Sequence, residues 1–337
     1  MTLHIGLIGA GRMGATLGHH LAYSVEMATF TAIADPQEEA ARTLAAKCQV
    51  PDIYTDYNQM LAREDIDAVA VVTPTNTHVE VIKAAAAAGK HIFTEKPLAL
   101  SVADCDEAIA AVEAAGVKMM VGFMRRFDPS YVMAKQKIDE GAIGEPVMFK
   151  AVGRDPWRTS LEFAKRENSG GLIADMGIHD FDLARWLMGS EVSRVSSEGG
   201  CLVFPELAEV GDIDNAVVNL RFENGSIGNV DVSRNAIYGY DIRTEIIGSE
   251  GSLMIGSLQK TQLLVLTKNN VAHDSISGFG DRFGEAFAME MRAFVEALEE
   301  QRDTAVTAED ARAATAIAVA ATRSLDEGRT VYLSEVS

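Results

Sequence analysis

Three groups of residues in this chain have the types and spacing that chemistry needs. The first is Gly9-x-Gly11-x-x-Gly14, which follows the apolar run at 4–8 and opens a helical pattern through Leu17 and Leu21. Gly9 permits a tight strand-to-helix turn, Gly11 lets backbone approach a pyrophosphate, and Gly14 lets helix and strand pack closely. Arg12 and Met13 lie inside this loop, where free amides at a helix N-terminus favour an anion. Asp35 ends a second apolar run 21 residues after Gly14. A carboxylate there accepts hydrogen bonds from ribose hydroxyls and repels a 2′-phosphate. Pro36 and Gln37 follow it rather than a phosphate-binding Arg, so the pattern points to NAD rather than NADP. Asp35 also fits a helix N-cap with Pro36 at the first helical position.

The second group is Glu95-Lys96-Pro97, after the apolar stretch His91-Ile92-Phe93. A lysine at a strand end beside a bound nicotinamide would donate to an oxyanion; the plain alternative is a solvated turn. The third group contains Asp175, His179, Asp182 and Trp186, at i, i+4, i+7 and i+11 of a helical pattern. That spacing sets a carboxylate one turn from a histidine, the arrangement of a general base and its orienting partner. The plain alternative is a satisfied buried histidine with aspartates on the helix surface. No HExxH or CxxC spacing occurs, and the pattern implies no metal.

These groups need elements to position them. Residues 1–122 alternate strand-like runs (near 3–8, 29–35, 67–73, 91–94 and 117–122) with helical ones (near 12–22, 37–47, 57–63, 77–88 and 102–115). Such alternation predicts an α/β Rossmann domain, a doubly wound parallel sheet that binds ligands off the carboxyl ends of its strands. Three strand-end loops are thereby singled out: 9–14, Thr73-Pro74-Thr75-Asn76, and 94–97. Residues 123–337 form a second, α+β domain with a large, mostly antiparallel open sheet. It has helices near 129–140, 174–188, 284–300 and 307–326, and a hairpin at Asn224-Gly225. An open sheet has a second face to cover, so a homo-oligomer is expected. Trp157, in the loop Arg154-Asp155-Pro156-Trp157-Arg158, suits a flap over a ligand and a subunit contact equally.

The chain has 337 residues, a net charge of −19 and three widely spaced cysteines. An acidic surface disfavours nucleic acid and anionic membranes. The cysteine pattern suits a reducing, cytoplasmic compartment. No stretch approaches a membrane span and no leader pattern opens the chain.

Taken in order, the glycine loop, Thr73-Pro74, Glu95-Lys96-Pro97, Gly122-Phe123-Met124-Arg125-Arg126-Phe127 and Asp175-x-Gly177-x-His179-x-x-Asp182 resemble the Gfo/Idh/MocA oxidoreductases over nearly the whole chain, most of all the inositol 2-dehydrogenases. The resemblance implies a Rossmann domain followed by a mixed-sheet domain, often in a homotetramer joined through the sheets. It implies that Lys96, Asp175 and His179 match a catalytic triad, with either Lys96 or His179 as proton acceptor. Glu95, Asn76 and His78 match cofactor contacts, and Arg125, Asp155, Met176 and Tyr238 occupy positions lining a polyol pocket. Some inositol dehydrogenases carry threonine where this chain has Met176. The implied activity is oxidation of a ring hydroxyl of myo- or scyllo-inositol with NAD. The alternatives are oxidation of a pyranose sugar at its anomeric hydroxyl and a non-catalytic sensor of NAD or sugar.

Overall fold

The computed structural model of the protein describes residues 2–336. They fall into two compact units. One holds the chain up to Phe127 together with Glu285–Thr315; the other holds Asp128–Gly284 and the chain from Ala316 on.

The first unit is built on a six-stranded parallel sheet: β1 (Leu3–Ile8), β2 (Ala28–Ala34), β3 (Asp52–Tyr54), β4 (Ala68–Val71), β5 (His91–Glu95) and β6 (Met119–Gly122), in the order β3-β2-β1-β4-β5-β6. All four residues of β4 and of β6 are buried, as expected of strands covered on both faces. The order reverses between β1 and β4, the switch point where a doubly wound sheet opens a crevice. The expected strands and helices of this unit are present; β3 was missed, because three half-buried residues make no apolar run.

The division of the chain differs from the expected 1–122 and 123–337. The boundary falls after Phe127, and Glu285–Thr315 returns to the first unit. The helix Phe279–Glu299 explains the return. Ala286, Phe287, Met291, Phe294, Val295 and Leu298 recur at helical spacing and are buried. Phe294 meets Phe93 of β5 edge-on, with ring centroids 5.9 Å apart. Farther on, Thr304 donates to the Met119 carbonyl of β6 at 2.9 Å, and Arg126 pairs with Asp310 at 3.1 Å.

The second unit carries a seven-stranded mixed sheet of β7 (Pro146–Arg154), β8 (Val192–Gly200), β9 (Asn215–Phe222), β10 (Ile227–Ser233), β11 (Asp241–Gly248), β12 (Ser252–Ile255) and β15 (Val331–Tyr332). Its order is β12-β11-β7-β10-β9-β8-β15, antiparallel except for the pair β7–β10. Alternation is clean on β9, where Ala216, Val218, Leu220 and Phe222 point into the core. The hairpin at Asn224-Gly225 forms as expected, closed by Phe222 N–H to the Ser226 carbonyl at 3.0 Å. A separate ribbon joins β13 (Gln259–Leu266) to β14 (Val271–Ser275). The helix Ile178–Met188 packs on β7 and buries Asp180 and Asp182, which are therefore core residues rather than surface ones.

Among the described residues, no helix is long and apolar enough to cross a membrane, and no three His, Cys, Asp or Glu side chains cluster as metal ligands.

Candidate active site

In the first unit the glycine loop sits at the carboxyl end of β1, beside the segment that leaves β4. Gly9 has φ +108°, and a Cβ there would lie 2.7 Å from the Val72 carbonyl oxygen, so only glycine is tolerated. A Cβ on Gly14 would lie 2.0 Å from the Gly9 carbonyl oxygen, which fixes how closely the helix Arg12–Tyr23 approaches the turn. Gly11 caps that helix and has open space where its Cβ would be. Arg12 and Met13 form its first turn.

Asp35 follows β2. One carboxylate oxygen accepts the Ala10 amide at 2.7 Å and the other accepts the Gln37 amide at 2.8 Å. The carboxylate therefore braces the glycine loop from the next strand. It is not the N-cap of the following helix, a position held by Gln37.

Thr73 and Pro74 leave β4, and Asn76 lies in the short 3₁₀ turn Thr75–Thr77. His78 opens the next helix and is buried. Its ring nitrogens each lie 2.9 Å from a backbone carbonyl oxygen, Pro97 on one side and Thr73 on the other. Burial lowers its pKa. The histidine thus ties the Thr73 loop to the Lys96 loop. Glu95 ends β5, and the Lys96–Pro97 peptide bond is cis. Glu95 accepts the Lys96 amide at 3.2 Å, and burial raises its pKa despite the nearby Lys96 charge. Arg125 lies in the buried turn Met124–Phe127.

In the second unit the expected helix is present, and its first part is wound as a π turn. Ile173–Gly177 is one π-helical turn, and Ile178–Met188 is the α-helix. Single π turns occur often at functional sites. Asp175 and Met176 lie in the π turn and His179 in the α turn that continues it. Asp175 accepts a hydrogen bond from Arg234 at 3.2 Å, and Arg234 also faces Asp212 at 3.9 Å. Arg234 is only 2% exposed. Asp212 accepts the Leu172 amide at 2.8 Å, just ahead of the π turn, and burial raises its pKa.

The remaining expected pocket residues are dispersed. Asp155 follows β7 and is joined by backbone to Ser233 and Ala236. Trp157 is exposed, with its ring against Gly278. The Tyr238 hydroxyl donates to Asp241 at 2.9 Å and accepts from Arg154 at 3.1 Å. Arg154 is also paired with Asp231. Tyr238 thus lines a cleft of about 560 Å³ on the outward face of the sheet, with Arg154, Leu202, Val217 and Asp231, whereas Asp175 and His179 line no part of it.

Arg234 and Asp212 were not singled out in the sequence. Nothing in their spacing relates them to Asp175, and only the strand pairing brings them there.

Two family models match the chain: "Oxidoreductase family, NAD-binding Rossmann fold" over residues 3–123 and "GFO/IDH/MocA C-terminal domain" over residues 131–254. The chain is 39% identical to the scyllo-inositol 2-dehydrogenase (NAD(+)) of Bacillus subtilis, over 97% of this chain and 95% of that protein. It is 38% identical to the myo-inositol 2-dehydrogenase of Thermotoga maritima, over 99% of each. Among solved structures, the scyllo-inositol dehydrogenase of Lactobacillus casei with bound NAD(H) and scyllo-inositol superposes with a TM-score of 0.94 at 32% identity, over 99% of this chain and 100% of that one.

Proposed function

The chain belongs to the Gfo/Idh/MocA family of oxidoreductases, and from that premise we propose that it oxidises a ring hydroxyl of myo- or scyllo-inositol to the ketone with NAD. The observation that carries this reading is the full-length match to a structure holding both NAD(H) and scyllo-inositol. The first unit fits the cofactor: the helix cap at Gly11 is open and Asp35 stands at the end of β2. Gly9, Gly11, Arg12, Met13 and Gly14 hold the pyrophosphate, Asp35 the ribose, and Thr73, Pro74, Asn76, Glu95 and Lys96 line the nicotinamide side, which His78 braces.

NAD, when bound, supplies the hydride acceptor. The residues do the rest. His179 accepts the hydroxyl proton. Asp175, itself anchored by Arg234, orients the imidazole. Lys96 donates to the oxygen and offsets its developing charge as the C–H bond breaks. Arg125, Asp155, Trp157 and Met176 are assigned to the polyol; Tyr238, expected there from the sequence, lines the outward cleft with its hydroxyl on Asp241 and Arg154 and is not. Met176 places a thioether where some relatives carry a hydroxyl, which removes one donor to the ring. Hydroxyl-specific sites reject mismatched isomers strongly, so that change bears on which inositol is preferred.

The protein assembles as a homotetramer in this reading, supported by Val217 and Ile227, which are exposed on the outward face of the seven-stranded sheet. Its cysteines Cys48, Cys105 and Cys201 are free, which supports a reducing, cytoplasmic compartment.

The test is an initial-rate screen with NAD and with NADP against inositol isomers and a panel of pyranoses. Turnover of an inositol with NAD well above any sugar is expected. Preferential turnover of a pyranose would overturn the substrate assignment, and nucleotide binding without turnover of anything would overturn catalysis.

A further inference from the structure

One polar residue interrupts the apolar stripe of the helix Phe279–Glu299. Glu290 falls at the same helical spacing as Ala286, Phe287, Met291 and Phe294 and is 0% exposed. Neither of its carboxyl oxygens has a hydrogen-bond partner among the described residues. An ionised carboxylate in such a place is prohibitively costly, so the group keeps its proton. Glu95 is 7% exposed; one of its oxygens takes the Lys96 amide, and the other, Oε1, is buried without a partner.

The geometry aligns the two acids. Phe93 and Glu95 are two residues apart on β5 and share a face, and Glu290 and Phe294 are one turn apart on the helix. The edge-on contact of Phe93 with Phe294 therefore brings Glu95 and Glu290 to the same layer. The Glu95 charge raises the pKa of Glu290, in addition to the effect of burial. Lys96 is the charge that acts on Glu95. The flanking strands β4 and β6 carry no titratable side chain. On the helix, Arg292 donates to the Ser24 carbonyl and Glu296 pairs with Arg302. His78 lies beyond Pro97, with both ring nitrogens on carbonyls.

We propose that protonated Glu290 donates a hydrogen bond to Glu95 Oε1, directly or through one buried water, and is thereby a positioning residue for Glu95 and the adjoining Lys96. The pair holds one proton and one negative charge, which balances the single ammonium of Lys96. The kinetic readout rests on the role assigned to Lys96 above; the proton on Glu290 does not.

Two variants separate the outcomes. E290Q keeps a neutral donor, and E290L has none. Without a donor the Glu95 anion is harder to form, so the acid limb of kcat/KM against pH moves upward in E290L by about one unit, a roughly tenfold loss below the wild-type midpoint. E290Q rescues the wild-type limb. The same displacement is read in the Kd for NAD against pH, which needs no turnover. Infrared spectra at pH 8 show a protonated buried carboxyl in wild type and in K96A, and not in E290Q. Superimposable pH profiles for wild type and E290L, or no protonated carboxyl at pH 8, would overturn the proposal. Failure of inositol turnover alongside the infrared band and the displaced Kd profile would overturn the substrate assignment instead.

Discussion

Replacing Arg234 with methionine removes a buried cation that faces two acids. The guanidinium lies 3.2 Å from Asp175 and 3.9 Å from Asp212, and methionine fills much of its volume without its charge. Breaking a buried ion pair from one side costs about 3–5 kcal/mol, because the partner is left charged and desolvated. For a unit of this size each kcal/mol lowers the transition by about 2–4 °C, so R234M should lose roughly 6–20 °C. Differential scanning calorimetry at several pH values tests this. Asp212 is already raised by burial, and Arg234 is one of the influences holding it down. In R234M its folded carboxyl keeps a proton that the unfolded chain releases above about pH 3.9. The added loss is therefore largest at high pH and shrinks as pH falls toward that value. D212N in the R234M background removes one stranded acid while its amide oxygen still accepts from Leu172, so it recovers part of the loss. A fall of less than about 2 °C at neutral pH, or a loss equal at pH 5 and pH 8, would refute the reasoning.

Three further outcomes are expected. K96A and H179A each lower kcat by about 100- to 10,000-fold while the Kd for NAD, by titration calorimetry, stays within a few-fold of wild type; near-normal turnover of either removes that residue from the mechanism. G14A forces the helix Arg12–Tyr23 away from the Gly9 carbonyl, 2.0 Å from the new methyl carbon, and should weaken NAD by at least about 1 kcal/mol; an unchanged Kd contradicts the close packing. The raised pKa of Glu290 means the folded chain holds a proton that the unfolded chain releases above about pH 4.3, so wild-type stability falls as pH rises from there. The stability of E290Q relative to wild type, read from Tm, should climb between pH 5 and 8 by up to about 1.4 kcal/mol per pH unit; a flat difference would mean Glu290 is ionised.

The first unit was legible because its signals are local. A glycine loop between an apolar run and a helical pattern states both its geometry and its ligand, and strand–helix alternation implies a parallel sheet. The third group was legible as a helix but not in its winding, because a π turn changes the hydrogen-bond register without changing residue types. Arg234 was invisible, since its meaning comes from the pairing of β10 that delivers it to an acid 59 residues earlier. Glu290 was visible in principle, as an acid on an otherwise apolar helical stripe. The division between units escaped because an amphipathic helix declares that it will be buried and not against what.

The two returns of the chain have a consequence for how the protein is made. The first unit ends at Phe127, yet the helix face that meets Phe93 and the segment that bonds Met119 arrive with Glu285–Thr315. At about 5–20 residues per second, a ribosome needs roughly 10–40 s to supply them after residue 127. During that interval the inner face of β5 is synthesised but uncovered. The nucleotide-binding half cannot be finished first and handed on, and it cannot be moved to another protein as one continuous cassette. A fragment stopping at residue 127 would expose Phe93 and lose the carboxyl partner of Glu95, so a transplant must carry both stretches.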